Sequence, residues 1–175
     1  MKIVTRTNVL IKNYDSNWEL QFEEEKGKIL SVIPKKIIQI EHIGSTSING
    51  LGAKPIIDMM IGLTKLEDFE ELIQPLSTID FEYVPKQELT DRRFFRKGLW
   101  GHGTCHLHIC EHKSNEWIEK LLFRDYLREN PKIAENYLNL KKNLAKEYQY
   151  DRQTYTKKKE PFIREVIKCA RNKFY

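Results

Sequence analysis

The chain reads as an α+β protein in a single domain over residues 1–175, and three features of the sequence say so. Runs rich in isoleucine, valine and aromatic residues recur between residues 37 and 110. Helically spaced apolar residues precede and interrupt those runs, and residues 112–175 are mainly helical in pattern. A length of 175 residues supports one substantial core, since domains cluster near ~100–150 residues.

Ser16 and Glu19 form a capping-box pattern, with Trp18, Phe22, Ile29 and Ile33 following at helical spacing. A helix is therefore predicted over Asn17 to Val32, with Pro34 as its stop. Ile37 to Ile43 reads as a strand running into the polar turn Gly44-Ser45-Thr46-Ser47. Gly50, Gly52 and Pro55 keep the next segment irregular. Ile56 to Leu63 is almost wholly apolar around a lone Asp58, the pattern of a strand covered on both faces. Leu66, Phe69, Leu72, Ile73 and Leu76 mark a helix from Leu66 to Leu76, with Pro75 near its end. Three more strands are expected at Phe81 to Val84, Arg92 to Lys97 and Thr104 to Cys110. Ser114 can cap a helix bearing Trp117, Leu121 and Leu127. Asn130-Pro131 opens another, antiparallel to it, with Ile133, Tyr137, Leu140, Leu144 and Tyr148 on one stripe. In the last helix Phe162, Ile163, Val166 and Ala170 face inward, and Pro161 either starts the helix or kinks it.

With 40% hydrophobic and 31% charged residues the composition is that of a folded globular protein and excludes disorder as the main state. No stretch reaches the roughly 18 consecutive apolar residues of a membrane span, and no apolar core follows Met1-Lys2-Ile3-Val4-Thr5-Arg6. No membrane partner and a cytoplasmic setting are expected. Cys105, Cys110 and Cys169 form no CxxC pair, which suits reduced thiols. The net charge of +5 is uneven: residues 1–88 carry 10 basic and 14 acidic residues, residues 89–175 carry 20 and 11. A basic half suits an anionic partner, whether nucleotide, phosphorylated small molecule or nucleic acid. The plainer account is solvated helix faces, since Lys141-Lys142, Lys146 and Lys157-Lys158-Lys159 all fall in helical patterns.

Chemistry concentrates between Glu41 and Asp58. This is no P-loop, because Gly27-Lys28 is followed by isoleucine, and no dinucleotide fingerprint, because Gly50-x-Gly52 lacks its third glycine. A Gly-Ser-Thr turn leaving a strand can aim the N–H groups and hydroxyls of Gly44, Ser45 and Thr46 at a phosphate, or it can be a plain tight turn. Asp58 needs a partner, because an ionised carboxylate among apolar neighbours costs several kcal/mol. A metal would supply that partner, and so would an ion pair with Lys54 or an arginine. Arg124 and Arg128, four apart on a helix, could grip a phosphate or join Asp125 and Glu129 in an ion-pair network. Arg92, Arg93 and Arg96 alternate with Phe94 and Phe95 in a basic strand, with Arg96 as an outlying candidate.

The block Ile40-Glu41-His42-Ile43-Gly44-Ser45-Thr46-Ser47-Ile48-Asn49-Gly50-Leu51-Gly52-Ala53-Lys54-Pro55-Ile56-Ile57-Asp58 resembles the GrpB family. Tyr14-Asp15, Trp18, His106-Leu107-His108 and Phe123-Arg124-Asp125-Tyr126-Leu127-Arg128 match as well, so the resemblance covers nearly the whole chain. These are small bacterial proteins placed in the nucleotidyltransferase superfamily of DNA polymerase beta-like folds. The resemblance implies a mixed β-sheet packed by helices, with a C-terminal helical segment. It makes Gly44-Ser45 the phosphate-facing turn and Asp58 the first metal-binding, catalytic carboxylate; Thr46, Lys54, Arg124 and Arg128 are the further ligand-binding candidates of this sequence. The implied reaction is nucleotidyl transfer assisted by a divalent metal, Mg²⁺ or Mn²⁺ before Zn²⁺, with paired carboxylates two residues apart facing one cleft.

The second carboxylate is absent: two residues after Asp58 stands Met60, whose thioether is a poor ligand for a hard cation. The strand that would supply a third carboxylate offers His106 and His108. Asp58, His106 and His108, with Glu41 or His42 nearby, could hold one softer metal such as Zn²⁺, Mn²⁺ or Ni²⁺. Neutral histidines hydrogen-bonded in a polar cleft are the alternative. Binding of a nucleotide or related phosphorylated ligand near Gly44, Ser45, Thr46 and Asp58 is thus expected, with metal-dependent transfer as its full form. The contrary expectation, favoured by Met60, is a non-catalytic binding or accessory module. The family's occurrence joined to a dephospho-coenzyme A kinase points that module towards coenzyme A metabolism. Nucleic-acid binding through the basic half would show as affinity falling steeply with salt.

Overall fold

A computed structural model of the protein describes residues 9–33, 35–99 and 102–174. The first helix, α1 (Asn17–Val32), has the bounds its periodicity predicts, but its cap differs. Ser16 is itself helical in φ and ψ and makes no side-chain cap bond. Asp15 accepts the Asn17 N–H through Oδ1 at 2.9 Å and the Trp18 N–H through its carbonyl at 3.1 Å. A carboxylate receives an orphan helix N–H with charge assistance that a serine hydroxyl lacks. The expected stop at Pro34 and the start Met1–Arg6, expected to carry no apolar core, lie outside the described residues.

Five strands form one sheet: β1 (Ile37–Ile43), β2 (Ile57–Leu63), β3 (Phe81–Tyr83), β4 (Arg92–Leu99) and β5 (His102–Glu111). Their order is β1-β2-β5-β4-β3, with β2 and β5 parallel and the other pairs antiparallel, so the sheet is mixed. β4 and β5 run further than expected because their hairpin continues through Gly98↔Gly103 and Leu99↔His102 past a register shift. Those residues carry little apolar alternation by which a sequence would reveal them.

Side chains alternate across the sheet, so its two faces acquire different work. One face sends Met59, Ile61, Leu63, Phe95, Leu107 and Ile109 into the main core with Trp18, Phe22 and Ile29 of α1. The stretch expected as one helix from Leu66 is a 3₁₀ turn (Leu66–Phe69) followed by α2 (Glu70–Ser77), whose Leu72 and Leu76 close the same core. On the opposite face Ile43, Met60 and Cys110 are covered by Trp117 of α3 (Asn115–Glu129). β2 is accordingly enclosed on both sides, as its apolar run predicts, except where Asp58 remains 31% exposed.

Ser114 caps α3 by accepting the Trp117 N–H at 3.4 Å. Asn130 precedes Pro131 at the first position of α4 (Pro131–Glu147), but its amide donates to the Tyr126 carbonyl at 2.7 Å and so closes α3 instead. The last helix, α5 (Arg152–Phe174), begins well before Pro161, which therefore does not start it. Phe123, Leu127, Tyr137 and Val166 from the three helices pack with Ile48 and Leu51, seating the helical layer on the loop beyond the Gly44 turn. Val9, Leu144, Ala145 and Tyr155 form a smaller cluster alongside. Burial pushes the Cys105 and Cys110 thiols up to about 12, so neither is a ready nucleophile. Among the described residues no helix is long and apolar enough to cross a membrane.

A candidate anion-binding site at the Gly44 turn

β1 delivers the chain to Gly44 directly beside Asp58, because Ile43 and Asp58 are register partners. Gly44 has φ +70° and ψ −171°, a region essentially reserved for glycine. A Cβ there would lie 2.6 Å from Asp58 Oδ2, so only glycine lets the turn rest on the carboxylate. The 3₁₀ turn Ser45–Ser47 follows, fastened by Ser47 Oγ donating to the Gly44 carbonyl at 2.6 Å. Thr46 does not face the cleft. It is buried, with Oγ1 2.9 Å from His42 Nε2, and the His42 ring stacks on Phe22 at 4.7 Å. Burial pushes His42 down to about 4, leaving a neutral ring that anchors the turn.

Asp58 Oδ1 lies 3.1 Å from His106 Nδ1 across the parallel β2/β5 pair. Burial works to raise the Asp58 pKa, but the His106 hydrogen bond and the charges of His106, His108 and Lys54 outweigh it and hold the carboxyl at about 2. His108 pairs in register with Met60 and lies against Phe94, 5.3 Å between ring centres. Its Nδ1 is buried with no partner among the described residues, and burial with the Lys120 charge pushes it down to about 3. The expected metal set therefore does not assemble: among the described residues no group of three His, Cys, Asp or Glu side chains is placed to hold a metal. Met60 is 0% exposed under Trp117, so the place of a second carboxylate belongs to the core. The residues present do not fit a two-metal centre. Arg96 is bound to Glu82 at 2.9 and 2.7 Å.

Neither do Arg124 and Arg128 form an open grip. The Arg124 side chain is 11% exposed and donates to Glu41 Oε2 at 2.5 Å, the His42 carbonyl at 3.1 Å and Asp125 at 2.7 and 3.2 Å. Arg128 donates twice to the Ser47 carbonyl, at 3.1 and 2.7 Å. Both are struts that tie α3 to β1 and the turn. Glu129, expected within their network, binds Lys173 instead.

One lysine reaches the turn, and two more feel the charge of Asp58 beside it. Lys141 of α4 is 2% exposed and donates from Nζ to Ser45 Oγ at 2.9 Å and to the Gly52 carbonyl at 2.5 Å. Lys54, on the loop before β2, and Lys159 of α5 lie over the same Tyr155 ring, 5.5 and 4.5 Å from its centre. Burial and the charges of Lys159 and Lys54 lower Lys141 to about 7. Burial and the Lys54 charge lower Lys159 to about 8, while burial and Arg152 lower Lys54. Asp58 acts on all three in the opposite sense. Among the described residues none of the three has a carboxylate within salt-bridge distance. Lys54 is in the sequence-derived set, whereas Lys141 and Lys159 are not. Their signal is their place on apolar stripes: Lys141 falls between Tyr137 and Leu144, Lys159 between Tyr155 and Phe162.

The mixed five-stranded sheet packed by helices is similar to nucleotidyltransferase folds. The structure of the Cid1 poly(U) polymerase superposes with a TM-score of 0.52, covering 78% of this chain and 43% of that one at 14% identity. The family is narrower: this chain belongs to the GrpB proteins, whose family profile matches residues 8–169. The glutamate-rich protein GrpB of Alkalihalophilus pseudofirmus is 33% identical, over 94% of this chain and 97% of the relative. The UPF0157 protein YqkA of Bacillus subtilis is 40% identical over 90% of this chain, which corresponds to 46% of that longer relative. The crystal structure of GrpB from Enterococcus faecalis has a TM-score of 0.87 at 37% identity, covering 94% of this chain and 99% of that one.

Proposed function

We propose that this chain binds a nucleotide or a related phosphorylated ligand, with its phosphates on Ser45 and the lysines Lys54, Lys141 and Lys159. The observation that carries this is the bond from a buried lysine to the serine of the turn, Lys141 Nζ to Ser45 Oγ. A buried ammonium without a carboxylate is costly, and an incoming anion would offset that cost. The fold supports the choice of ligand: solved structures of Cid1 hold a UTP analogue, MgATP and MgGTP. Dephospho-coenzyme A carries an adenosine diphosphate group and belongs in the same set of trial ligands.

The test is a thermal-shift series with nucleoside triphosphates and dephospho-coenzyme A on the wild type and Ser45→Ala. At about 100 times Kd a ligand adds about 2.7 kcal/mol to stability. Stabilisation that weakens in Ser45→Ala supports the proposal, and an unchanged melting temperature with every ligand, with and without Mg²⁺ or Mn²⁺, sinks it.

Met60 favours a second reading, binding without transfer, since the strand position that would carry the partner carboxylate is sealed under Trp117. Release of pyrophosphate from a nucleoside triphosphate, abolished by Asp58→Asn, would establish transfer and remove that reading.

A further inference from the structure

We infer that Lys54, Lys141 and Lys159, rather than divalent metal ions, neutralise the ligand at this site, so that it takes a chain of two or more phosphoryl groups with no metal present. The inference rests on the anion-binding function proposed above and names both the substrate class and the means of holding it. Two loci carry it. At the first, Ser45 Oγ and Lys141 Nζ are already in contact at 2.9 Å. At the second, Lys54 and Lys159 share the Tyr155 ring. The two loci lie close enough for Lys54 and Lys159 to act on Lys141 through their charge, so one phosphoryl group would occupy one locus and a longer phosphate chain would be needed to engage both. A Lys ammonium acts as a compact point charge with three donors, suited to phosphate oxygens of no fixed plane.

The same groups are badly arranged for metals. Asp58 Oδ1 already faces His106, and Oδ2 lies against the glycine of the turn. Met60 lies in the core, and among the described residues no three-ligand group exists. A divalent ion on Asp58 alone would face the field of the three lysines, which all feel that carboxylate. Lowered lysine pKa values accord with a cluster that lacks its counter-ion in the free protein.

Isothermal titration of the full chain with inorganic phosphate, pyrophosphate and triphosphate, in EDTA and again in excess Mg²⁺, tests this. Pyrophosphate and triphosphate are expected to bind in EDTA, at least about 10-fold tighter than phosphate, with Kd changing less than about 3-fold on adding Mg²⁺. Lys141→Met and, as a second variant outside the Ser45 contact, Lys159→Gln should each weaken triphosphate at least about 5-fold. Asp58→Asn should leave affinity equal or tighter, because it removes a negative charge beside the phosphates. Binding that appears only with Mg²⁺ and disappears in Asp58→Asn would overturn the inference while leaving nucleotide binding intact. Equal affinity in the two lysine variants would overturn it as well. Failure of the phosphates and of nucleoside triphosphates alike, with and without metal, would remove both.

Discussion

Near the Gly44 turn α3 brings arginines, while α4, α5 and the loop before β2 bring lysines, and the two sets are used in opposite ways. The guanidinium groups of Arg124 and Arg128 are spent on Glu41, Asp125 and the carbonyls of His42 and Ser47. Lys54, Lys141 and Lys159 meet hydroxyl, carbonyl and aromatic surface and one another's charge. The difference teaches that a cation's partners, more than its charge, separate a strut from a ligand-facing group. Arginine serves the first role because its planar fork matches carboxylates and carbonyls that are already in place.

The sharpest way to break the comparison is Arg124→Met. If the arginine side is structural, the variant strands Glu41 and the His42 carbonyl and loses about 3 kcal/mol in urea unfolding. A loss below about 1 kcal/mol would mean that Arg124 is not a strut. Gly44→Ala strikes the turn that both sides hold: a Cβ 2.6 Å from Asp58 Oδ2 at positive φ should cost about 2 kcal/mol. Arg128→Ala should cost about 1 kcal/mol, since its side chain is 43% exposed and gives up its bonds to Ser47 and a half-exposed ion pair with Asp125 at 3.7 Å.

The lysine side should show in the pH dependence of the free protein. Lys141 and Lys159 release protons at about 7 and about 8 in the folded chain, below the ordinary lysine value: burial and the charges of Lys159 and Lys54 lower the first, burial and the charges of Lys54, Lys120 and Arg152 lower the second, and Asp58 opposes both. Between those values and about 10.4 the unfolded chain holds the extra protons, so these groups make stability rise with pH across that window. Lys141→Met should make the rise shallower between pH 7 and about 9 in melting curves. An unaltered slope would show that Lys141 keeps an ordinary pKa.

Much of the fold was legible because local pattern determines it. The bounds of α1 and β1 follow from apolar spacing, and the lone Asp58 in an apolar strand draws attention to that strand before any geometry is known. Helical spacing also makes Arg124 and Arg128 neighbours, but not what they bind: Glu41 is 83 residues from Arg124 in the chain. Lys141 is hidden for the same reason. Beside Lys142 it resembles a solvated helix face, yet Lys142 is exposed while Lys141 is buried. Only a helix stripe on which a charge replaces a hydrophobe gives it away. The metal set Asp58, His106 and His108 looks plausible in sequence because strand spacing turns both imidazoles to one face. Register decides otherwise, setting His106 beside Asp58 and His108 beside Met60.

The parallel pairing of β2 with β5 has a consequence for how the protein is made. Asp58 and His106 are 48 residues apart in the chain, and Ser45 and Lys141 are 96 apart. Contacts of such range close late, because loop entropy is lost before they return anything. A chain emerging from the ribosome with β1, the turn and β2 complete would carry Gly44 and Asp58 but not the proposed site, which waits until α4 and α5 bring Lys141 and Lys159. On the proposed function, occupancy would report on finished molecules, and the ligand would stabilise these selectively over incomplete ones.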